Sequence, residues 1–538
     1  MIEKIQDKIK RIKEIDSNRP RKKVAVLGAG MAGLTAALEL SELGHNVVIY
    51  EANDRVGGRA WTHRFSDGEY HELGAMRFPA EHDHTRHYAS RCGLTFRRFI
   101  NHHDDEDTLY FFKGILSKHS DCDLKILPEL NITDFEKWMI NNGPIPKEAK
   151  SSQLLNLLVY PIETIKHEIE SNPHDTNALL GTGQMTSRIK ELDKISLGDF
   201  LRKYISSADA LDLIGTVTGL EVWWDKAVTM FIRDEIAAEQ RLKNQGVPKG
   251  IDEIEGGTDK LPNGLLNLLK NKGVTIQFKH SIFSINKKRE QIQIGIKNQN
   301  DEFELLDYDF VICTLPFSIL RRIKLTGLTK EKITAVRNLT YASSTKVLLN
   351  TKERFWETNY KIVGGASQLD LINRQVYYPS NLSEITTQTD NNSQFKSMIG
   401  QFNLVAKVEV DNKTMNKQSR PGVLVGSYCW GQDARRLGGL GKDERVRVVV
   451  EAISNIHPEI LESGMVKDES ASIFWDEYKF AGGAFCFMKP SDFSNYYSDT
   501  IKPEGNLFFA GEHCSLDQGW IQGAIISSLR AVEELVQK

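Results

Sequence analysis

A glycine turn between an apolar strand and a helix constrains the fold of this chain more than any other feature. The predicted strand, residues 24–27, runs into Gly28, Gly30 and Gly33, and a helix follows over about residues 32–43. Gly28 permits a tight turn, Gly30 lets the backbone approach a pyrophosphate, and Gly33 allows the helix to pack closely on the strand. The start of such a helix offers free N–H groups and a partial positive charge. The segment therefore predicts a phosphate-binding turn.

An acidic residue completes the pattern. A second predicted strand, residues 47–50, ends at Glu51, at the spacing where a carboxylate accepts hydrogen bonds from a ribose. A glycine turn alone occurs by chance, but here the strand, the helix, the second strand and the acid are all in place. Together they predict a Rossmann-like domain that binds a dinucleotide, with contacts from Gly28, Gly30, Met31, Ala32, Gly33, Glu51 and Ala52.

Length and composition limit the other possibilities. A chain of 538 residues is too long for one hydrophobic core, which predicts two or three domains. The net charge of -3 offers no attraction to nucleic acid or anionic lipid. This near-neutral charge favours small-molecule partners. No apolar run is long enough to span a bilayer, and the charged N-terminus lacks the apolar core of a signal peptide. Because the six cysteines have no paired spacing, we expect reduced thiols and a cytoplasmic protein.

Late segments of the chain are predicted to return to the first sheet. Apolar strands are expected at 274–278, 310–315 and 506–512, and a helix follows the last of them over about 523–536. The nucleotide-binding domain is therefore expected to be assembled from three separated pieces.

Two other regions have patterns of their own. Leucine pairs at turn-like spacing between 134 and 239 predict a helical lobe, and apolar strands at 345–349, 375–378 and 424–428 predict a mostly β substrate domain. The predicted fold class is α/β, as an α+β multidomain chain. The expected domains are a nucleotide-binding domain (20–70, 254–326 and 500–538), a substrate-binding domain (1–19, 71–125 and 327–499) and a helical domain (126–250).

Isoleucines recur at helical spacing near the N-terminus. They predict an amphipathic helix and comprise Ile2, Ile5, Ile9, Ile12 and Ile15. We expect this helix to pack on the body of the protein, with membrane association and a dimer contact as alternatives. Further along, the polar stretch 380–393 predicts a flexible loop.

A second glycine pair follows the ribose acid. The segment Arg55-Val56-Gly57-Gly58-Arg59 resembles the signature of the flavin amine oxidases, where it lies along the pyrophosphate of FAD. This resemblance, rather than the spacing, implies FAD as the cofactor. It extends from residue 24 to the terminal helix and adds these expected cofactor contacts: Arg55, Gly58, Arg59, Gly74, Ala75, Met76, Arg77, Ile282, Trp475, Gly511, Glu512, Gly519, Trp520 and Ile521.

Within this family the chain most resembles the L-amino acid oxidases. Residues 72–79 look like the segment in which those enzymes place an arginine on the substrate carboxylate, and simple amine oxidases lack that arginine. Arg77 takes this position. A planar guanidinium clamps a carboxylate through two parallel hydrogen bonds and so fixes the α-carbon in one orientation. An ion pair between Arg77 and Glu72 is the alternative.

Two more segments resemble the family. Residues 341–347 are similar to the segment with the flavin lysine, which holds a water against N5, so Lys346 is its expected counterpart. A buried ammonium needs hydrogen-bond partners, and the alternative is a lysine at a strand end facing solvent. Residues 374–379 resemble the strand that offers a tyrosine hydroxyl to the carboxylate. Strand alternation turns one of Tyr377 and Tyr378 inward; we expect Tyr378, with core packing of either ring as the alternative.

The end of the chain matches family segments that line the flavin. Trp475 and residues 511–521 are implied beside the isoalloxazine and ribityl chain, with Gly519 and Trp520 also meeting the substrate amine. Large aromatic rings there exclude water, although Trp475 could equally be core. Family members with covalent flavin have a cysteine directly after a glycine pair, where this chain has Ala484. The resemblance therefore implies non-covalent FAD.

Charged and histidine-rich positions suggest further chemistry. Arg233 stands where some relatives have an active-site histidine, so it is a candidate substrate contact that would favour acidic or polar side chains. A helix-surface salt bridge is the alternative. The histidines of residues 81–87 and the run 102–107 lack a partner cluster, and we expect solvated loops and no metal site.

The resemblance implies an FAD-dependent L-amino acid oxidase. Arg77 and Tyr378 would hold the carboxylate, Lys346 and its water would lie beside N5, and hydride would pass from the α-carbon to N5. The imine would hydrolyse to a 2-oxo acid and ammonia, and oxygen would become hydrogen peroxide. Family habit implies a homodimer. The alternatives are an amino acid monooxygenase that forms the amide, a polyamine or monoamine oxidase, and a flavoprotein without turnover.

Overall fold

A five-stranded parallel sheet carries the glycine turn. The computed structural model describes residues 4–17, 19–100, 102–103, 108–145, 153–246, 250–380, 405–406 and 420–538. Across the sheet the strands run in the order Thr275–Gln277, Asn46–Tyr50, Lys23–Leu27, Phe310–Cys313 and Leu507–Phe509. All neighbouring strands are parallel. The predicted return of the late segments to the first sheet is confirmed, and the apolar strands fit a sheet that is covered on both faces.

Helices pack against this sheet and against one another. Met31–Glu42 begins directly after the glycine turn and packs against the C-terminal helix Ile521–Gln537 and against Lys260–Asn271. The Ser528 hydroxyl donates to the Ala32 carbonyl oxygen at 2.7 Å, which ties the two ends of the chain together. Both predicted helices are confirmed, with ends within two residues of the expected positions.

The N-terminal helix, Ile5–Asp16, packs on the C-terminal helix. Ile5 and Ile12 are buried in the same core cluster as the parallel sheet, and Arg11 Nε lies 2.5 Å from Glu533 Oε1. The expected docking of an amphipathic helix is confirmed, and Ile2 lies outside the described residues. The assignment of residues 1–19 to the substrate-binding domain is wrong, because the apolar stripe is buried on the nucleotide-binding side.

A second sheet has seven strands, which come from residues 109–118 and 344–474. Its order is Val466–Phe474, Ser344–Thr351, Gly422–Trp430, Gln375–Tyr377, Ala366–Leu369, Leu109–Phe112 and Ile115–Lys118. A four-stranded sheet has the order Phe303–Tyr308, Ile292–Lys297, Ser281–Lys287 and Lys324–Thr326, and a three-stranded sheet has the order Phe78–Pro79, Ile251–Ile254 and Phe96–Arg98. Two-stranded pairs are Thr340–Ala342 with Phe485–Phe487, Val405–Ala406 with His102–His103, and Thr62–Arg64 with Tyr70–Glu72.

The predicted helical lobe shares one core cluster. Its helices are Cys122–Lys125, Asp134–Asn142, Asn156–Glu170, Pro173–Leu179, Ser187–Asp193, Leu197–Leu201, Ala208–Thr218 and Val228–Gln245. The other α-helices are Asp83–Arg91, Phe317–Leu320, Lys330–Asn338, Phe355–Tyr360, Gly431–Gly438, Lys442–Ile453 and Asp492–Ile501. None of the helices in the described part of the chain has the length and apolar character needed to cross a membrane. Apart from Ser380, the predicted loop 380–393 lies outside the described residues, and the other domain limits stay a prediction.

Candidate active site

The three glycines of the turn have different structural roles. Gly28 has a φ of +101° and donates its N–H to the Tyr50 carbonyl oxygen at 2.8 Å. A Cβ on Gly33 would lie 1.9 Å from the carbonyl oxygen of Gly28, so any side chain there would displace the helix. A Cβ on Gly30 would meet no protein atom within 4 Å. Gly33 is therefore required for packing, while Gly30 leaves open space at the helix N-terminus, where a phosphate binds.

Glu51 and the second glycine pair lie beside this turn. The Glu51 carboxylate accepts the N–H of Ala29 at 2.6 Å, and burial raises the pKa of Glu51. Gly57 donates its N–H to the Ala29 carbonyl oxygen at 2.9 Å, and a Cβ on Gly58 would lie 3.6 Å from the Cα of Gly30. The two glycine segments thus approach each other closely on one side of the cavity.

A cavity of about 520 Å³ connects the glycine turn to the buried Lys346. Of the expected cofactor contacts, the following line it: Gly28, Gly30, Met31, Ala32, Glu51, Ala52, Gly58, Arg59, Gly74, Ala75, Ile282, Trp475, Gly511, Glu512, Gly519, Trp520 and Ile521. Gly33, Arg55, Met76 and Arg77 do not line it. The open helix N-terminus, the buried acid and the apolar far end fit the pyrophosphate, ribose and ring system of FAD.

Several lining residues were missed by the sequence analysis. Thr314, Leu315 and Pro316 follow the parallel strand Phe310–Cys313, and ligands bind outside the carboxyl ends of such strands, so this segment had a usable signal. Tyr428 also lines the cavity but comes from the seven-stranded sheet, whose position relative to the nucleotide-binding sheet no local pattern specifies.

The arginines of the second glycine segment are held by protein groups. Arg59 Nη1 donates to Glu512 Oε1 at 2.8 Å and to the Ala484 carbonyl oxygen at 2.9 Å. The Glu512 carboxylate also accepts the Gly519 N–H at 3.0 Å. Arg55 does not line the cavity; its guanidinium lies 4.2 Å from the ring centre of Trp61 and donates to the Gly58 carbonyl oxygen at 2.8 Å. Arg59 therefore connects the early and late segments of the site.

Lys346 is buried beside the cavity, with 1% of its surface exposed. Its Nζ donates to the carbonyl oxygens of Gly74 at 2.8 Å and Glu72 at 3.1 Å, and it lies 4.3 Å from the ring centre of Tyr428. Burial lowers the pKa of Lys346, although the negative charge of Glu72 opposes this change. The alternative of a solvent-facing lysine is therefore wrong.

Arg77 lies next to the cavity rather than in its wall. Its Nη1 donates to the Tyr377 hydroxyl at 3.4 Å. The guanidinium carbon lies 5.9 Å from the ring centre of Tyr377 and 6.0 Å from that of Tyr428, which does line the cavity. The Glu72 carboxylate accepts hydrogen bonds from Thr62 and Thr258. Arg77 is thus placed among aromatic rings at the Lys346 end of the site.

The expectation for Tyr378 is wrong. Its hydroxyl lies 2.6 Å from His457 Nε2 and 2.8 Å from the Ser367 hydroxyl, and its ring packs in a cluster that Tyr377 does not join. Tyr377 instead belongs to the cluster that includes Trp475, and its hydroxyl meets Arg77. Since neighbouring residues of a strand point to opposite faces, Tyr377 lies on the Arg77 side of the strand and Tyr378 on the other side.

Two tryptophans complete the lining. Trp475 donates its Nε1–H to the Leu73 carbonyl oxygen at 3.2 Å, which fixes the indole beside the Lys346 end. The Trp520 ring meets the His82 ring edge to face, with centres 5.0 Å apart. Burial lowers the pKa of His82 to about 3, so this imidazole is neutral at physiological pH.

The candidate role of Arg233 as a substrate contact is wrong. Its side chain is buried but does not line the cavity. Arg233 Nη1 donates to the Leu516 carbonyl oxygen at 2.5 Å, and Nη2 lies 3.3 Å from Asp517 Oδ1. A buried guanidinium needs such partners, and here they come from the loop before Trp520.

The described residues contain no group of three His, Cys, Asp or Glu side chains that could hold a metal ion. Residues 104–107 of the acidic run lie outside the described part of the chain.

Replacing Gly30 with alanine is expected to weaken FAD binding at least about tenfold and to leave the free energy of unfolding of the apoprotein nearly unchanged. The new methyl group would meet no protein atom within 4 Å and would occupy the phosphate space instead. Gly33→Ala is the matched control, because its Cβ overlaps the Gly28 carbonyl and should destabilise the fold itself. Flavin absorbance and thermal unfolding measure both effects; equal FAD affinity in Gly30→Ala and wild type would contradict the assignment.

Comparison with known proteins agrees with this site. Residues 31–536 match the family of flavin-containing amine oxidoreductases. The chain is 31% identical to a flavin-dependent L-tryptophan oxidase from Lentzea aerocolonigenes, covering 96% of this chain and 98% of that one. It is 28% identical to an L-amino-acid oxidase from Siganus canaliculatus, covering 95% and 85% of the two chains.

Solved structures share the fold. A cyclohexylamine oxidase from Brevibacterium oxydans has a TM-score of 0.67 at 15% identity, covering 96% of this chain and 99% of that one. A putrescine oxidase bound to putrescine has a TM-score of 0.66 at 16% identity, covering 96% and 100%. With the glycine turn, the acid and the lined cavity in place, this chain belongs to the family of flavin-containing amine oxidoreductases, and its cofactor is FAD.

Proposed function

We propose that this protein oxidises L-amino acids to 2-oxo acids, with release of ammonia and hydrogen peroxide. One observation carries the proposal: the Arg77 guanidinium and the Tyr377 hydroxyl lie 3.4 Å apart, close to the buried Lys346. A family member that acts on amines alone has no need of a guanidinium there. The names of the two relatives, an L-tryptophan oxidase and an L-amino-acid oxidase, support the same substrate class.

Arg77 and Tyr377 would bind the substrate carboxylate. A guanidinium offers two parallel N–H donors, and charge-assisted hydrogen bonds are stronger than neutral ones. The Tyr377 hydroxyl donates to Gln375 Oε1 at 3.0 Å, and turned toward the carboxylate it would add a third donor. Held at this end, the amino acid would have its α-carbon in one orientation toward the ring system of the cofactor. When bound, FAD would supply the hydride acceptor and would pass the electrons on to oxygen.

Lys346 would act as a proton donor and a positive charge at the same end of the cavity. Its three N–H groups donate to the carbonyl oxygens of Glu72 and Gly74 and to Met76 Sδ. The thioether at 3.4 Å is a weak acceptor, and it is the partner that a water molecule toward the cavity would replace. A lowered pKa makes the ammonium a better proton donor than an exposed lysine. Trp475 and Trp520 would exclude bulk water from the substrate, which strengthens these electrostatic interactions.

Non-covalent FAD is part of the proposal. Ala484 lines the cavity and has no thiol to offer. Cys486 lies two residues further on, in the strand Phe485–Phe487, and its sulfur accepts a hydrogen bond from Gln518 Nε2 at 3.4 Å. Precipitation with acid should therefore release free FAD into the supernatant. The homodimer and the cytoplasmic location expected from the sequence stay predictions.

A substrate screen tests the proposal. The purified holoprotein is incubated with each of the twenty amino acids, and peroxide, ammonia and 2-oxo acid are measured. Equal amounts of the three products are expected for at least one L-amino acid. Formation of the amide would indicate a monooxygenase, and turnover of amines alone would indicate an amine oxidase. If no amino acid bleaches the flavin under anaerobic conditions, the protein is a flavoprotein without this turnover.

Substituting the two adjacent tyrosines gives a matched pair. Tyr377→Phe is expected to raise KM for the amino acid about tenfold, the effect of losing one hydrogen bond to a charged group. Tyr378→Phe is expected to leave KM unchanged and to lower the unfolding temperature, because its hydroxyl is bonded to His457 and Ser367 in the core. Steady-state kinetics and thermal unfolding of both variants check this; a raised KM in Tyr378→Phe alone would reverse the assignment.

A further inference from the structure

We propose that Asp517, together with Arg233 and Arg241, positions the indole of Trp520 in the candidate active site. None of these three charged residues lines the cavity, whereas Trp520 does. They are therefore positioning residues that act through Trp520. The inference rests on the proposed function, because its kinetic test uses an L-amino acid as the substrate. The position of the indole can be measured without turnover.

Two buried arginines bind the segment just before Trp520, at Leu516 and Asp517. Arg241 Nη2 lies 2.6 Å from Asp517 Oδ2, and Arg233 Nη2 lies 3.3 Å from Asp517 Oδ1. Arg233 Nη1 also donates to the Leu516 carbonyl oxygen at 2.5 Å. The exposed fractions of Asp517, Arg233 and Arg241 are 7%, 4% and 6%. Both arginines belong to the helix Val228–Gln245, so the helical lobe fixes the loop from outside the cavity.

The same helix also supports the ring partner of Trp520. The His82 ring contacts the indole edge to face at 5.0 Å. Gln245, the last residue of the helix, donates its Nε2–H to the Glu81 carbonyl oxygen at 3.0 Å. One rigid helix thus holds both the loop before Trp520 and the segment that contacts its ring. A displacement of this helix would move the indole on two sides.

The chemistry of the cluster favours positioning over stabilisation. Although burial raises the pKa of Asp517, the guanidinium groups of Arg241 and Arg233 hold it well below its ordinary value, so the carboxylate is ionised. Buried ion pairs contribute little net stability relative to apolar residues of the same size, but their hydrogen bonds fix geometry. Reacting groups misplaced by about 1 Å lose rate by about a hundredfold. A cluster of this kind is therefore suited to hold a side chain beside a reaction centre.

The test uses the isosteric Asp517→Asn variant. Labelling with 5-fluorotryptophan and assignment through Trp520→Phe give the ¹⁹F resonance of the Trp520 indole in the apoprotein and in the holoprotein. We expect this resonance to shift in Asp517→Asn. In anaerobic rapid mixing, we expect the rate of flavin reduction at saturating L-amino acid to fall about tenfold to a hundredfold, with KM changed less than about threefold.

Glu239→Gln is the matched control on the same helix. Glu239 lies 2.6 Å from the buried Lys166, so this variant also breaks a buried ion pair, at a place that does not contact Trp520. It should lower the unfolding temperature without moving the Trp520 resonance or the reduction rate. If Asp517→Asn does not fold, Arg241→Met takes its place, because Arg233 still pairs with Asp517 there; Arg241→Lys should recover part of the rate.

Two results would overturn the proposal. One is an unmoved Trp520 resonance in Asp517→Asn or Arg241→Met; the other is an equal loss of reduction rate in Glu239→Gln. A wild-type protein that oxidises no amino acid would refute the proposed function instead, and the ¹⁹F comparison would still decide whether the cluster positions the indole.

Discussion

Replacing Arg77 with methionine is expected to lower kcat/KM for L-amino acids by about 10²–10³-fold, which corresponds to about 3–4 kcal/mol of lost transition-state stabilisation. Methionine keeps much of the volume and removes the donors that would hold the substrate carboxylate. The Tyr377 hydroxyl would lose its cation, whereas the Tyr428 ring would keep Lys346 Nζ at 4.3 Å. Steady-state peroxide production with the preferred amino acid measures the effect.

The control for this prediction is a second substrate rather than a second variant. The primary amine that lacks the carboxylate of the preferred amino acid should be oxidised by Arg77→Met and by wild type at rates within about threefold of each other. Arg77→Lys should lie between the two, because an ammonium keeps the charge but loses the planar fork. An equal fall for the amino acid and the amine would refute a carboxylate role and leave Arg77 as a structural residue.

Lys346→Met is expected to slow the reaction of the reduced protein with oxygen by about 10²-fold, the usual cost of removing one preorganised donor at a reaction centre. Reduction by the amino acid should change much less. Because burial lowers the pKa of Lys346, we expect the wild-type rate with oxygen to fall as the pH rises through a midpoint below the ordinary lysine value of 10.5. Lys346→Met should lack this pH dependence. Rapid mixing of reduced protein with oxygen measures both.

Lys332→Met is the matched control for Lys346. Lys332 is just as buried, its Nζ donates to the Thr500 carbonyl oxygen at 2.9 Å, and it does not line the cavity. Its removal should change stability and leave the oxygen reaction intact. If both variants react with oxygen equally slowly, the loss of any buried lysine explains the effect, and Lys346 has no special role as a donor in the site.

The elements of the nucleotide-binding half were predictable because their signals are local. The glycine turn, the helix after it and the terminal helix follow from apolar periodicity and from glycine positions that packing requires, such as Gly33. The cavity lining at the glycine turn and at Glu51 was predictable for the same reason, whereas the other expected contacts came from the resemblance to the flavin amine oxidases.

The failures all involve long-range packing. Tyr377 and Tyr378 are adjacent and chemically alike. Which ring contacts Arg77 depends only on which face of the seven-stranded sheet is turned toward Arg77. Arg233 could not be placed because its partner Asp517 is distant in sequence. The N-terminal helix has a clear apolar stripe, but the stripe does not identify the surface that buries it.

The two ends of this chain pack on each other, and that arrangement sets an order of events during translation. The central strand Lys23–Leu27 is made early, but the outer strand Leu507–Phe509 and the helix Ile521–Gln537 packed on Met31–Glu42 are made after the other four strands of the sheet. A nascent chain can therefore hold the phosphate turn without the wall that closes around it. We expect FAD uptake to follow the synthesis of residues 507–537, and ribosome-bound chains stalled before residue 500 to remain colourless.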